Sequence, residues 1–110
     1  MKKHDIKFAV TIDDKRKLML MAYDANLSLT QFCSKLVREE LVRYRMYSKI
    51  AYPTNGVLIH VKLEDDYFKM VQTLAVQWLL PYRQVVHRLV ANYLKEPNPI
   101  DAIVISYTDL

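Results

Sequence analysis

Glycine is almost missing from this chain: one residue, Gly56, in 110. With four prolines besides, that argues against a turn-rich all-β fold. Cysteine is as scarce. Cys33 stands alone, so no internal disulfide can form and nothing points to an oxidising compartment. No apolar run approaches a membrane span, and Met1–Asp14 has basic residues but no apolar stretch of signal-peptide length. The expectation is a cytoplasmic protein with no membrane partner. Gly-rich phosphate loops, nucleophile elbows and HExxH motifs are absent. Three histidines and one cysteine have no metal-ligand spacing, so no metal, no cofactor and no enzymatic activity are expected.

What is present suits one folded domain. Hydrophobic residues make up 52% and charged residues 25%, enough to build a core. The net charge is +4 with 16 Lys and Arg against 12 Asp and Glu. It is uneven: residues 1–50 carry 11 basic and 6 acidic side chains, residues 51–110 carry 5 and 6. A basic half is consistent with a polyanionic partner.

The chain repeats itself. Lys7–Ile12 alternates at the period of a strand, with Phe8, Val10 and Ile12 on one face and Lys7, Ala9 and Thr11 on the other. Leu58–Leu63 does the same 51 residues later, with Ile59, Val61 and Leu63 inward and Leu58, His60 and Lys62 outward. Acidic residues follow each strand: Asp13 and Asp14, then Glu64, Asp65 and Asp66. They suit a helix N-terminus better than paired catalytic carboxylates. A first helix is expected from about Asp14 to Asn26 (Leu18, Met21, Ala22, Ala25 inward) and its counterpart from about Asp65 to Trp78 (Phe68, Val71, Leu74, Ala75, Trp78). Ser28-Leu29-Thr30 opens a second helix with capping residues, and Pro81 sits where a first-turn proline is tolerated. Phe32, Cys33, Leu36, Val37, Leu41 and Tyr44 lie at helical spacing, and Val85, Val86, Leu89, Val90, Tyr93 and Leu94 do the same; Phe32, Cys33, Leu36, Val37 and Leu41 are matched at an offset of 53 by Val85, Val86, Leu89, Val90 and Leu94. A two-residue insertion at or within the first helix would reconcile the two offsets. Cys33 reads as a buried thiol, His87 as a polar-face residue, and Lys15–Lys17 as a solvated helix face.

Half a chain cannot satisfy a lone strand or bury enough surface. Two halves can, if the strands pair antiparallel under four helices. Pairing between two chains is the alternative. The expected class is therefore mainly α with a two-stranded antiparallel β-ribbon, in the order β-α-α-β-α-α. Residues 1–50 form the first unit and 51–95 the second, packed as one domain, with 96–110 a C-terminal tail. Ile103–Tyr107 in that tail is read as a short strand or a packing arm.

This order, over about residues 6–95, resembles the ribbon-helix-helix (MetJ/Arc/CopG) superfamily, in the tandem form found among plasmid-conjugation accessory factors. Asn26-Leu27 and Leu79-Leu80 stand where the family usually has glycine, and Asp13 and Glu64 where it often has proline. The resemblance implies a ribbon laid in the major groove of double-stranded DNA. The base-contacting residues would be Lys7, Ala9, Thr11, Leu58, His60 and Lys62. Phosphate would be held by backbone amides near Ser28, Leu29 and Thr30, and near Tyr82 and Arg83. Lys2 and Lys3, preceding the first strand, are placed to reach adjacent phosphates.

The implied function is sequence-specific DNA binding, as a transcriptional regulator or repressor or as a plasmid accessory factor in relaxosome assembly. A second copy bound alongside on DNA is a further partner. The alternative reading is an antitoxin or other protein-interaction module on the same scaffold, its tail holding a partner protein. A scaffold that has lost DNA binding is the third.

Overall fold

The computed structural model describes residues 2–43 and 45–97. Tyr44 and the expected strand or arm at 103–107 lie outside the described residues, as does the tail from 98 onward. The element order is β1 (His4–Val10), α1 (Ile12–Asp24), α2 (Leu29–Leu41), β2 (Val57–Leu63), α3 (Asp65–Trp78) and α4 (Tyr82–Lys95). The two strands form one antiparallel ribbon in which His4 opposes Leu63, Lys7 opposes His60 and Val10 opposes Val57.

Alternation sorts the ribbon into two faces. Ile6, Phe8 and Val10 of β1 and Ile59, Val61 and Leu63 of β2 are buried against the helices. α2 lies on β2, α4 lies on β1, and the two helices touch each other. They contribute Cys33, Leu36 and Val37 from α2 and Val85, Val86, Leu89 and Val90 from α4. Leu18 of α1 and Val71 of α3 complete the core from outside. No helix among the described residues is long and apolar enough to cross a membrane.

The first strand sits earlier than its alternation suggests. Thr11, expected as its outward residue, is the N-cap of α1, and its hydroxyl accepts from the Asp14 amide at 3.1 Å. Ile12, expected inward, opens the helix and is 50% exposed. Ile6 takes the inward place instead. A threonine cap is worth about 1 kcal/mol, and Thr11 captures a free first-turn amide just where the strand pattern would otherwise run on. The two-residue insertion therefore disappears. The spacing is 53 from His4 to Val57, from the Thr11 cap to the Glu64 cap, and from the Ser28 cap to the Pro81 cap. Pro81 is the cap itself, one position ahead of the first turn. The acidic pairs lie inside the first turns of α1 and α3, where the helix dipole favours them.

The turns between helices also match. Leu27 N donates to Ala22 O at 2.9 Å and Leu80 N to Ala75 O at 3.1 Å, closing both first helices alike. Asn26 (φ 60°) and Leu79 (φ 56°) occupy the left-handed conformation there. Asparagine tolerates it; a leucine does not do so freely.

His87 is buried at 3% exposure, not on the polar side of its helix. It falls on the stripe formed by Val86, Leu89 and Val90, and its ring meets Tyr52 edge-on at 5.2 Å. Burial holds its pKa below the usual 6.5, partly offset by the charge of Asp14. Cys33 is fully buried, and burial pushes its thiol up to about 12.

Two outcomes are expected. Leu79→Gly should raise stability by about 0.5–1 kcal/mol in urea unfolding, because relief of left-handed strain exceeds the extra unfolded-state entropy of glycine. The side chain is 88% exposed and has little packing to lose; an unchanged or lower midpoint would contradict this. His87 charges more readily in the unfolded chain than in the folded one. Its contribution is thus fully present above pH 6.5 and falls as pH drops through that value toward the lower folded pKa. Melting curves at pH 7.5 and 5.5 should show a smaller acid loss in His87→Gln than in the unaltered protein.

Candidate nucleic-acid interface

The face of the ribbon turned away from the core carries three cross-strand pairs: Asp5 opposite Lys62, Lys7 opposite His60, and Ala9 opposite Leu58. Asp5, Lys7, Leu58 and Lys62 are exposed and His60 is half-buried. Four of the six expected base-contacting residues therefore stand together on one open surface. Thr11 has left it for the helix cap, and Asp5 occupies the row in its place. The His60 Nδ1 lies 3.3 Å from the Asp5 carboxylate, diagonally across the ribbon.

Ala9 lies on this face but is only 7% exposed. The cover comes from the joining segment 45–56, which runs as a strap along α4. Arg88 Nε donates to Tyr47 O at 3.2 Å, and Ser48 and Asn92 exchange backbone and side-chain hydrogen bonds at 3.0 and 2.9 Å. The strap ends over the ribbon. Ala9 N donates to the Tyr52 hydroxyl at 2.8 Å. Asn55 (φ 58°) turns the chain, and Gly56 then passes so close that an added Cβ would stand 2.7 Å from Val10 O and 3.1 Å from the Ala9 Cβ. This is the one place where the scarce glycine is required.

At the other end the N-terminus of α2 meets the ribbon. Ser28 and Gln31 form a reciprocal capping box, at 3.0 and 3.1 Å. The amides of Leu29 and Thr30 have no partner within the helix. Ser28, Thr30 and Gln31 share a shallow hollow with His60 and Lys62. Beside it, a second hollow of about 350 Å³ gathers Lys3, Lys35, Arg38 and Lys62 around Thr30 and Gln31. Arg38 is 3.9 Å from Glu64 and so partly neutralised. Lys2 is exposed just ahead of β1. The arrangement offers three cationic amines and two helix amides to an anion, next to the outward ribbon row.

The start of α4 is built differently. Pro81 makes no side-chain cap. The amides of Tyr82 and Arg83 open the helix, both residues being exposed. The Arg83 guanidinium sits 5.9 Å from the ring centre of Tyr52, and the Tyr82 ring meets Phe68 edge-on at 5.2 Å. His4 stacks flat on Phe68 at 4.0 Å and hydrogen-bonds Asp65, whose carboxyl is held below its usual pKa chiefly by that bond. This cluster pins the start of β1 to α3.

Periodicity singles out none of Asp5, Lys35, Arg38 and Tyr52; His4, expected with Lys2 and Lys3 ahead of the strand as a phosphate-reaching arm, is instead the first residue of β1. Asp5 was recoverable: the Thr11 cap implies a strand ending at Val10. Tyr52 carried no local signal, because its partner is 43 residues away. Lys15, Arg16 and Lys17 lie on α1, with Arg16 paired to Asp13 at 3.5 Å. Among the described residues no group of three or more His, Cys, Asp or Glu side chains is arranged to hold a metal ion. Compared with protein-family models, characterised proteins and solved structures, the chain matches none.

Proposed function

We propose that this chain is a tandem ribbon-helix-helix protein that binds double-stranded DNA by laying β1 and β2 in the major groove. The observation that carries the reading is the juxtaposition of Lys7, His60 and Lys62 on one open face with the N-terminus of α2 and Lys3 and Lys35 at its side. A major groove about 12 Å wide admits a two-stranded ribbon, and its base edges present acceptors that lysine can reach. The free amides of α2 and the flanking lysines then hold backbone phosphate, which orients the ribbon without reading sequence. Tyr82 and Arg83 extend the phosphate contacts to the start of α4, and Lys2 adds a cation next to Lys3 ahead of β1. The work is done by occupancy, without a catalytic step, as a regulator of transcription or an accessory factor in plasmid transfer.

One observation favours a protein partner as a second reading. Met19, Leu20 and Tyr23 on α1 are 51%, 66% and 83% exposed, more apolar surface than a ribbon reader needs. The two readings separate in a gel-shift assay.

Affinity for duplex DNA should fall steeply as salt rises, since each neutralised phosphate releases counterions. Lys7→Ala combined with Lys62→Ala should weaken low-salt binding by about tenfold or more and leave the melting curve unchanged, both side chains being exposed. Binding insensitive to salt, or untouched by the double substitution, would remove the DNA reading in favour of the protein-interaction one.

A further inference from the structure

At a spacing of 53, the inward residues of β1 and β2 correspond as Ile6 with Ile59, Phe8 with Val61, and Val10 with Leu63. All six are buried and apolar, so the core face keeps the internal two-fold. The outward residues correspond as Asp5 with Leu58, Lys7 with His60, and Ala9 with Lys62. Here the chemistry differs at every position. Because the strands run antiparallel, these differences collect at opposite ends of the ribbon. Asp5 faces Lys62 at one end, joined by His60; Ala9 faces Leu58 at the other, closed off by Tyr52 of the strap.

We propose that the outer face is a directional reader: its Asp5–Lys62 end selects a C·G pair, its Ala9–Leu58 end selects a thymine-bearing pair, and the target is non-palindromic. The proposal rests on the DNA reading above and names the substrate of that same surface. A C·G pair presents an amino donor on cytosine beside two acceptors on guanine. One carboxylate and one ammonium on facing strands match that pattern together. Asp5 also acts by rejection. Brought near phosphates, a carboxylate is tolerated only where a base supplies a donor, so pairs that place an acceptor there are disfavoured. At the other end Leu58, 58% exposed, offers apolar contact to a thymine methyl, and the buried Ala9 offers nothing polar to compete with it. The strap makes the ends unlike in shape as well, because it crosses only the Ala9 end.

The test is selection of duplexes from a random pool, followed by competition gel-shifts with single-base variants of the enriched site. The unaltered protein should enrich a site with no internal two-fold, with C·G at one end and thymine at the other. Asp5→Ala and Asp5→Asn should lose about tenfold of the C·G preference and keep the thymine preference. Leu58→Ala should do the reverse. Melting curves confirm that each variant is folded, and the two Asp5 variants guard against a local packing effect in either one. A palindromic site, or Asp5 variants that select the same bases as the unaltered protein, overturns the directional reader and leaves DNA binding standing. No enrichment and no salt-dependent binding overturns both.

Discussion

Each strand of the ribbon has a single neighbour, and that neighbour lies on the far side of two helices in sequence. Until β1 and β2 meet, neither half has a satisfied strand or a covered core face. The helices alone do not solve this: α2 rests mainly on β2 and α4 mainly on β1, so each helix packs on the strand of the other half. Pairing and helix packing are therefore one event. The outer edges are closed by the same exchange. Lys62 N donates to the Ser34 hydroxyl of α2 at 2.9 Å, and Ala9 N to the Tyr52 hydroxyl of the strap at 2.8 Å. Ribbon edges that would otherwise invite another strand are thereby blocked at one point on each side.

The strap is held by an unusual concentration of charge. Glu40, in the last turn of α2, is 1% exposed. It accepts from Arg43 at 3.2 Å, Arg45 at 3.4 Å and the Tyr47 hydroxyl at 3.0 Å. A carboxylate at the negative end of a helix dipole is unfavourable by itself, and only several donors make its burial tolerable. Arg45 also donates to Glu96 O at 3.2 Å, tying the start of the strap to the end of α4. Arg88 lies 4.0 Å over the Trp78 ring and holds Tyr47 from the other side. The connection between halves is thus a packed element, and it fixes where Tyr52 and Gly56 arrive on the ribbon.

Local periodicity made much of this architecture legible. α3 begins and ends where its apolar spacing places it, and the alternation of Ile59, Val61 and Leu63 locates β2 to within a residue. Ser28 announced the start of α2 because a capping side chain acts on amides only three positions away. β1 lies two or three residues ahead of its alternation for the same kind of reason. Phe8, Val10 and Ile12 alternate perfectly, and only the competing preference of Thr11 for a helix cap ends the strand. What periodicity cannot carry is contact between distant segments. Alternation says which way the Ala9 side chain points, not that the strap lies above it. For His87 the polarity of the side chain argues for the outer face, while its position on the helix stripe puts it in the core. The basic hollow likewise needs Lys3, just ahead of β1, and Lys35 of α2, brought together only by the fold.

That division of labour bears on how the surface acquired its chemistry. The six inward ribbon residues answer to one demand, dense apolar packing, and it is the same demand in both halves. Their equivalents across the two-fold therefore stay alike. Apart from Ala9, which the strap covers, the outward residues carry no such burden, since exposed substitutions away from caps and packing cost little. Joining the halves in one chain frees them further. In a homodimer, a change at position 5 would appear at both ends of the ribbon at once; here Asp5 and Leu58 change independently. The antiparallel register that closes the core thus also places unlike side chains at opposite ends of one face. An asymmetric surface follows from a symmetric fold without any cost to the packing beneath it.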